Sequence, residues 1–483
     1  MSILEAPAEP FATHDDTAAI ADLHAAFAAQ RKAFAADRDP SLDERRARLG
    51  KVMHMMLANR EKIAAALASD FGAHPKGSSD LIEVLGVVGR AQYALSQLEE
   101  WTAPSPRFTD PQVLGTARVY VQPQAKGVIG NIVPWNFPFD LSVGPLIEML
   151  AAGNRVILKP SEFTPACADL LREMVSATFE PEMVYVAVGG VDLARAFSAL
   201  RWDHLLYTGS PNVGRMVMEA AAKNLVPVTL ELGGKCPALM TPGSVTAANV
   251  ESVVGTKLIK NGQMCVTVDY ALVPRAELPA FIEHAQAYMI AAAPGYSHGE
   301  VVTGMISLRH LDRISEMLAE AADRQTRIVA LEAEGHIDRA RRTMPLSLVI
   351  DPAPDLRLMQ EEIFGPILPV VPYDDVDAAI ALINEGERPL GLYVFGDPAE
   401  TDRVVAHTHS GGVSINSCAL QAALPSLGFG GSGMSGMGRH HGIEGFREFS
   451  NQRGIFVRGE GDMIAAFYEP AKAAALVGAA LGG

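Results

Sequence analysis

Cysteine is scarce: Cys167, Cys236, Cys265 and Cys418 are the only four in 483 residues. No two stand in CxxC spacing, which excludes a zinc or dithiol redox motif, and so few make no disulfide framework. A reducing compartment, the cytoplasm, is the expectation. Basic charge is also in deficit. Lys plus Arg total 40 against 56 Asp plus Glu, a formal net charge of −16. That balance argues against nucleic acid or an anionic membrane as partner. No apolar run reaches the roughly 18 residues of a membrane span. The tail AKAAALVGAALGG (471–483) comes nearest and reads as an Ala-rich helix end. The opening MSILEAPAEPFATHDD has neither the basic nor the apolar region of a secretory signal.

What is present is globular, with 48% hydrophobic and 20% charged residues. At roughly 100–200 residues per domain the length implies two to four domains. Helical periodicity covers 17–36, 42–67 and 81–101, and prolines at 104, 106 and 111 break it. RVYVQ (118–122) reads as a strand. From Gly127 onward, apolar runs alternate with helices: strands at 127–133, 155–159, 184–188, 204–207 and 227–232. Continuous Val/Ile/Leu runs suit strands buried on both faces, so an α/β fold with a doubly wound, mostly parallel sheet is predicted. A second α/β series follows, with strands at 269–273, 327–331, 346–350, 368–372 and 391–395. The Gly-rich segment 427–442 is flanked by apolar sequence and reads as an ordered loop.

Such a sheet binds ligands at its strands' carboxyl ends. The GxGxxG fingerprint is missing after the first strand, where GNIVPWN stands instead. Gly209-Ser-Pro-Asn-Val-Gly214 offers a turn and a helix start that can receive phosphate; an ordinary tight turn fits equally. Lys159-Pro160-Ser161-Glu162 closes a strand, where a carboxylate could accept ribose hydroxyls, or be a plain solvated charge. Cys265 sits beside Gly262, in a loop whose amides could hold a thiolate or oxyanion. Glu231 ends an apolar strand, where partial burial would raise its pKa toward that of a general base. Asn136, in Pro134-Trp135-Asn136-Phe137-Pro138, could donate to an oxyanion or lock an Asx turn. One reaction uses all of these. A thiolate adds to an aldehyde, hydride leaves for a nicotinamide, and water activated by the carboxylate hydrolyses the thioester.

Seven motifs stand in one family's order: PWNFP (134–138), KPSE (159–162), YTGSPNVG (207–214), LELGGK (230–235), GQMC (262–265), EEIFGP (361–366) and SGMG (435–438). On them the chain resembles the NAD(P)-dependent aldehyde dehydrogenases. WDH (202–204), Asp269-Tyr270 and GFGGSGMSGMG (428–438) make it most similar to the class-three branch and its coniferyl aldehyde dehydrogenases. The resemblance implies Cys265 as nucleophile, Asn136 as oxyanion donor and Glu231 as base. It implies cofactor contacts at Pro134, Trp135, Lys159, Ser161, Glu162, Gly209, Ser210, Gly214, Leu232, Glu362 and Phe364, with no metal. NAD is the expected cofactor, with NADP the alternative, because Glu162 would repel a 2′-phosphate. The implied layout is a cofactor domain at 1–232 with an arm strand near 112–124, a catalytic domain at 233–430, and a return at 431–483. GIFVR (454–458) is the second arm strand, and a homodimer is implied. The substrate is an aromatic, cinnamyl-type or medium-chain aliphatic aldehyde.

Three positions depart from the family pattern. Pro211 follows Ser210 and suits a first helical turn. Lys260-Asn261 replaces a more usual Asn-Ala and should alter the loop beside Cys265. Gly255 replaces a bulky aromatic, so a wider substrate pocket is expected. The rival reading is a cysteine acyltransferase or hydrolase, which needs a histidine base such as His284 or His310. An acylating dehydrogenase is a second rival, disfavoured by Glu231.

Overall fold

The computed structural model describes residues 15–332 and 335–481. Most of the opening segment read for targeting, and the last two residues of the tail, lie outside them. Two large sheets and a small one organise the chain. In the six-stranded sheet, Val128–Ile132 lies between Arg155–Lys159 and His204–Gly209. Val184–Val186 flanks the first of these neighbours, and Val228–Leu232 flanks the second. These five strands are parallel. Every residue of Val128–Ile132 and Arg155–Lys159 is buried, as expected for strands covered on both faces. The strand order reverses at Val128–Ile132, so a crevice opens beyond its carboxyl end. The sixth strand, Gly436–Met437, comes from the Gly-rich segment and runs antiparallel to Val228–Leu232.

The seven-stranded sheet is parallel apart from Arg327–Ala330 at one edge. Its middle strands are Tyr270–Pro274 and Pro237–Met240. The chain passes between the large sheets in four residues, from Leu232 to Pro237. In the small sheet, Ser105–Pro106, Arg118–Ala125 and Ser450–Val457 pair antiparallel, with Gly454 opposite Val121. All four cysteines are free thiols. No helix among the described residues is long and apolar enough to cross a membrane.

The helical periodicity read over 42–67 resolves into two helices, Leu42–Ala58 and Arg60–Phe71. The Asn59 amide donates to the Met55 carbonyl at 2.8 Å and competes with the helical ladder there. The helix expected over 81–101 begins as a π-helical turn, Ser79–Gly86, and continues as Val87–Thr102. Such turns recur at functional sites, and this one carries the buried Glu83.

Helices Val87–Thr102 and Asp140–Ala151 are joined by a buried ion pair. Arg90 forks onto Glu148 at 2.9 and 2.7 Å, the side chains being 5% and 1% exposed. Removing one partner strands a buried charge, which typically costs about 3–5 kcal/mol. Glu148→Ala should lose that much in a urea unfolding titration; a loss under about 1 kcal/mol, the scale of an exposed pair, would show that water reaches Arg90.

Candidate active site

The residues singled out in the sequence converge where the carboxyl ends of the six-stranded sheet meet the start of Pro237–Met240. Cys265 lies in the loop between the turn Ile259–Gly262 and strand Tyr270–Pro274. Cys236 touches this loop: its thiol donates to the Cys265 carbonyl at 3.4 Å. Asn136 follows strand Val128–Ile132 and is 3% exposed. One of its amide hydrogens goes to the Gln263 carbonyl at 3.2 Å. An Asn side chain has two donors, so the second is free of that bond. The Asn136 loop is thereby docked two residues before Cys265.

Glu231 is 2% exposed, and neither carboxylate oxygen has a hydrogen-bond partner among the described residues. Gly430 faces it, and a Cβ there would approach Glu231 Oε1 to 3.0 Å. Burial raises its pKa well above the usual range, Arg439 opposes that, and Glu448 adds to it. Glu362 packs on Gly233, where a Cβ would collide with its carboxylate. Desolvation and then Asp269 push Glu362 up to about 8. Burial also pushes the Cys265 thiol up, and the Glu362 and Glu231 carboxylates add to this. The Cys265 and Val266 amides favour the thiolate instead. Thiol and bases are thus shifted together, a pattern typical of sites that move protons.

The rival reading finds no histidine among the groups acting on the thiol. His310 Nε2 meets the Phe364 carbonyl at 3.1 Å, and burial lowers its pKa to about 3. His284 lies on helix Leu278–Ala292, and the charged groups weighing most on Cys265 are carboxylates.

The other singled-out residues ring the same crevice. Lys159, 2% exposed, donates to Glu162 at 2.8 Å just beyond its strand. Ser161 accepts from the Phe163 amide at 3.2 Å. Ser210 caps helix Pro211–Ala222 through the Val213 amide, with Pro211 at the first helical position as expected. Gly214 lets that helix approach the strand, since a Cβ would meet Leu232 Cδ2 at 2.7 Å. Gly209 ends strand His204–Gly209. Trp135, which follows Pro134, meets Phe364 edge-on at 5.3 Å. Phe364 adopts φ 54°.

Sequence reading passed over Arg313 and gave no role to Lys235 and Asp269, which fix Phe364 and Glu362. Arg313 donates to the Glu362 and Ile363 carbonyls. Lys235 pairs with Asp269, whose other oxygen accepts from the Ile363 amide at 3.0 Å. The Arg-His-Leu-Asp-Arg run at 309–313 was the available signal. The expectation of a wider pocket at Gly255 is overturned. The Tyr288 hydroxyl occupies that space, 3.3 Å from where a Cβ would stand.

An acid with a raised folded pKa binds a proton that the unfolded chain releases. Its penalty is absent below the unfolded value of about 4.5 and grows as pH rises toward the folded value. Glu231→Gln should therefore melt higher than the native chain at pH 8, with the gap closing toward pH 4.5. Equal melting curves at pH 8 would show that Glu231 is solvated.

The chain is 41% identical over 432 residues to the "Probable coniferyl aldehyde dehydrogenase" of Caulobacter vibrioides, covering 88% of this chain and 89% of that protein. It is 36% identical to the "Coniferyl aldehyde dehydrogenase" of Pseudomonas sp. strain HR199, covering 90% and 91%. Substrate-bound AldH of Staphylococcus aureus superposes with a TM-score of 0.86 at 31% identity, over 92% of this chain and 99% of AldH. An aldehyde dehydrogenase of Mycobacterium tuberculosis complexed with NAD+ gives a TM-score of 0.80 at 27% identity, over 91% and 90%. The aldehyde dehydrogenase family model matches residues 6–455, and the chain belongs to that family.

Proposed function

We propose that the chain oxidises an aromatic, cinnamyl-type aldehyde such as coniferyl aldehyde to its acid with NAD, through a thioester on Cys265. Medium-chain aliphatic aldehydes are the second substrate class. The observation that carries the reading is the Cys265 thiol set against two raised carboxylates, with the Asn136 amide docked on its loop. The substrate class draws on the coniferyl aldehyde dehydrogenases among the relatives.

Cys265 Sγ adds to the aldehyde carbon once its proton has passed to a carboxylate. The free Asn136 N–H and the Cys265 amide donate to the alkoxide, where preformed donors act most strongly. When bound, the nicotinamide dinucleotide supplies the hydride acceptor. Glu231 then takes a proton from water as that water attacks the thioester. A raised pKa strengthens a carboxylate as a proton acceptor. Cys265→Ala should abolish oxidation. Glu231→Gln should keep the first turnover and stall afterwards, with the acyl adduct on Cys265 visible by intact mass. Normal steady-state turnover in Glu231→Gln would remove Glu231 from the base role.

The crevice suits a dinucleotide. A buried ammonium stands at a strand end, and a Ser-capped helix start faces the crevice with close backbone approach at Gly214. Lys159 and Glu162 would hold the adenosine ribose, and Ser161 braces that turn. Gly209 and Ser210 would hold the pyrophosphate. Pro134, Trp135, Leu232, Glu362 and Phe364 would hold the nicotinamide end. Glu162 disfavours a 2′-phosphate, so kcat/KM should favour NAD over NADP by about tenfold or more, equivalent to about 1.4 kcal/mol. Equal values would refute the electrostatic argument.

The proposed layout is a cofactor domain at 1–232, a catalytic domain at 233–430 and a return at 431–483. The pairing of Gly436–Met437 with Val228–Leu232 supports that return. A homodimer would cover the outer edge of strand Ser450–Val457, which ends the small sheet. A cytoplasmic setting would keep Cys265 a thiol.

A further inference from the structure

We infer that Lys260 is a positioning residue: paired with Glu83, it holds the loop carrying Asn136 against the loop carrying Cys265. This rests on the roles given to Asn136 and Cys265 above. Lys260 Nζ lies 2.8 Å from Glu83 Oε1, and the two side chains are 1% and 0% exposed. The ammonium also sits over the Phe71 and Phe137 rings, at 4.6 and 5.0 Å from their centroids. Phe137 is the residue next to Asn136.

The pair grips both partners of one hydrogen bond. On the acceptor side, the Lys260 carbonyl receives the Gln263 side-chain amide at 2.8 Å. Gln263 is itself the residue whose carbonyl accepts from Asn136. On the donor side, Glu83 Oε2 accepts from the Phe139 and Asp140 amides at 3.1 and 2.8 Å. Those amides open the helix that follows the Asn136 loop. Lys260 and Asn261 take φ values of 51° and 55°, the left-handed region that side chains adopt only when their surroundings hold them. Gln263 is further pinned by the Gly304 carbonyl at 3.0 Å and the Ile306 amide at 2.9 Å.

A buried ion pair is a poor source of net stability, because desolvation offsets its attraction. What it supplies here is direction, since an ammonium clamped between two rings and a carboxylate has one place to sit. Asn136 is thereby aimed in advance, as preorganised catalysis requires.

The test follows single-turnover formation of reduced nicotinamide by fluorescence, with NAD and coniferyl aldehyde. Lys260→Met should slow this phase at least tenfold, while the NAD Kd stays within twofold. In an Asn136→Ala background the same change should cost less than twofold further. Lys260→Met with Glu83→Gln removes the stranded charge and keeps an acceptor for the Phe139 and Asp140 amides. Its melting temperature should recover while the first turnover stays slow. The inference is overturned by an unchanged first turnover in Lys260→Met, by recovery of rate together with melting temperature, or by effects that multiply with Asn136→Ala. A normal first turnover in Asn136→Ala alone would instead remove the Asn136 assignment on which the inference rests.

Discussion

Four residues, Gly233 to Cys236, carry the backbone from the end of one parallel strand to the start of another in a different sheet. This short crossing sets the geometry around it. Glu231 lies on the strand two residues before it, Glu362 packs on its first glycine, and the thiol of its last residue bonds the Cys265 carbonyl. Lys235, within it, anchors the segment before Phe364 through Asp269 and the Leu358 and Glu361 carbonyls. A longer linker would let the sheets drift and separate these groups. With so few residues, their spacing is fixed by the covalent chain.

Electrostatics follow from the same crowding. Glu231, Glu362 and Cys265 are each pushed toward the neutral form, first by burial, and the Cys265 thiol is pushed further by the Glu362 and Glu231 carboxylates. Ionising either carboxylate therefore changes the ease of ionising the thiol. Titration of such a centre belongs to the group as a whole.

Much of this was legible in the sequence. RVILK has an apolar centre and GLYVF has no charged residue, and both are strands buried at every position. The motif positions converge on one crevice because parallel strands all present their carboxyl ends to the same side. Pro237–Met240 escaped notice although it lies mid-sheet, because four residues after a glycine pair give no measurable period. Gly436–Met437 is a strand only through its partner, Val228–Leu232. Helix Pro398–Ala406 did carry a start signal, the Asp397 cap before Pro398, and could have been found. Lys260 and Glu83 could not: 177 residues separate them, and charge at an interior position follows no pattern before the fold brings its partner.

The lack of hydrogen bonds to Glu231 has its own consequence. An aldehyde is neutral, whereas the acid made from it is an anion at neutral pH. On the roles proposed above, the substrate would meet buried carboxyl groups, and among the described residues Arg439 is the one cation that acts on Glu231. Arg439 is itself engaged with the Gly411 and Gly430 carbonyls. The finished carboxylate is therefore worse solvated inside than outside, and departure restores its hydration. On the proposed role, the same dry carboxyl that draws a proton from water would make the pocket a poor host for its own product.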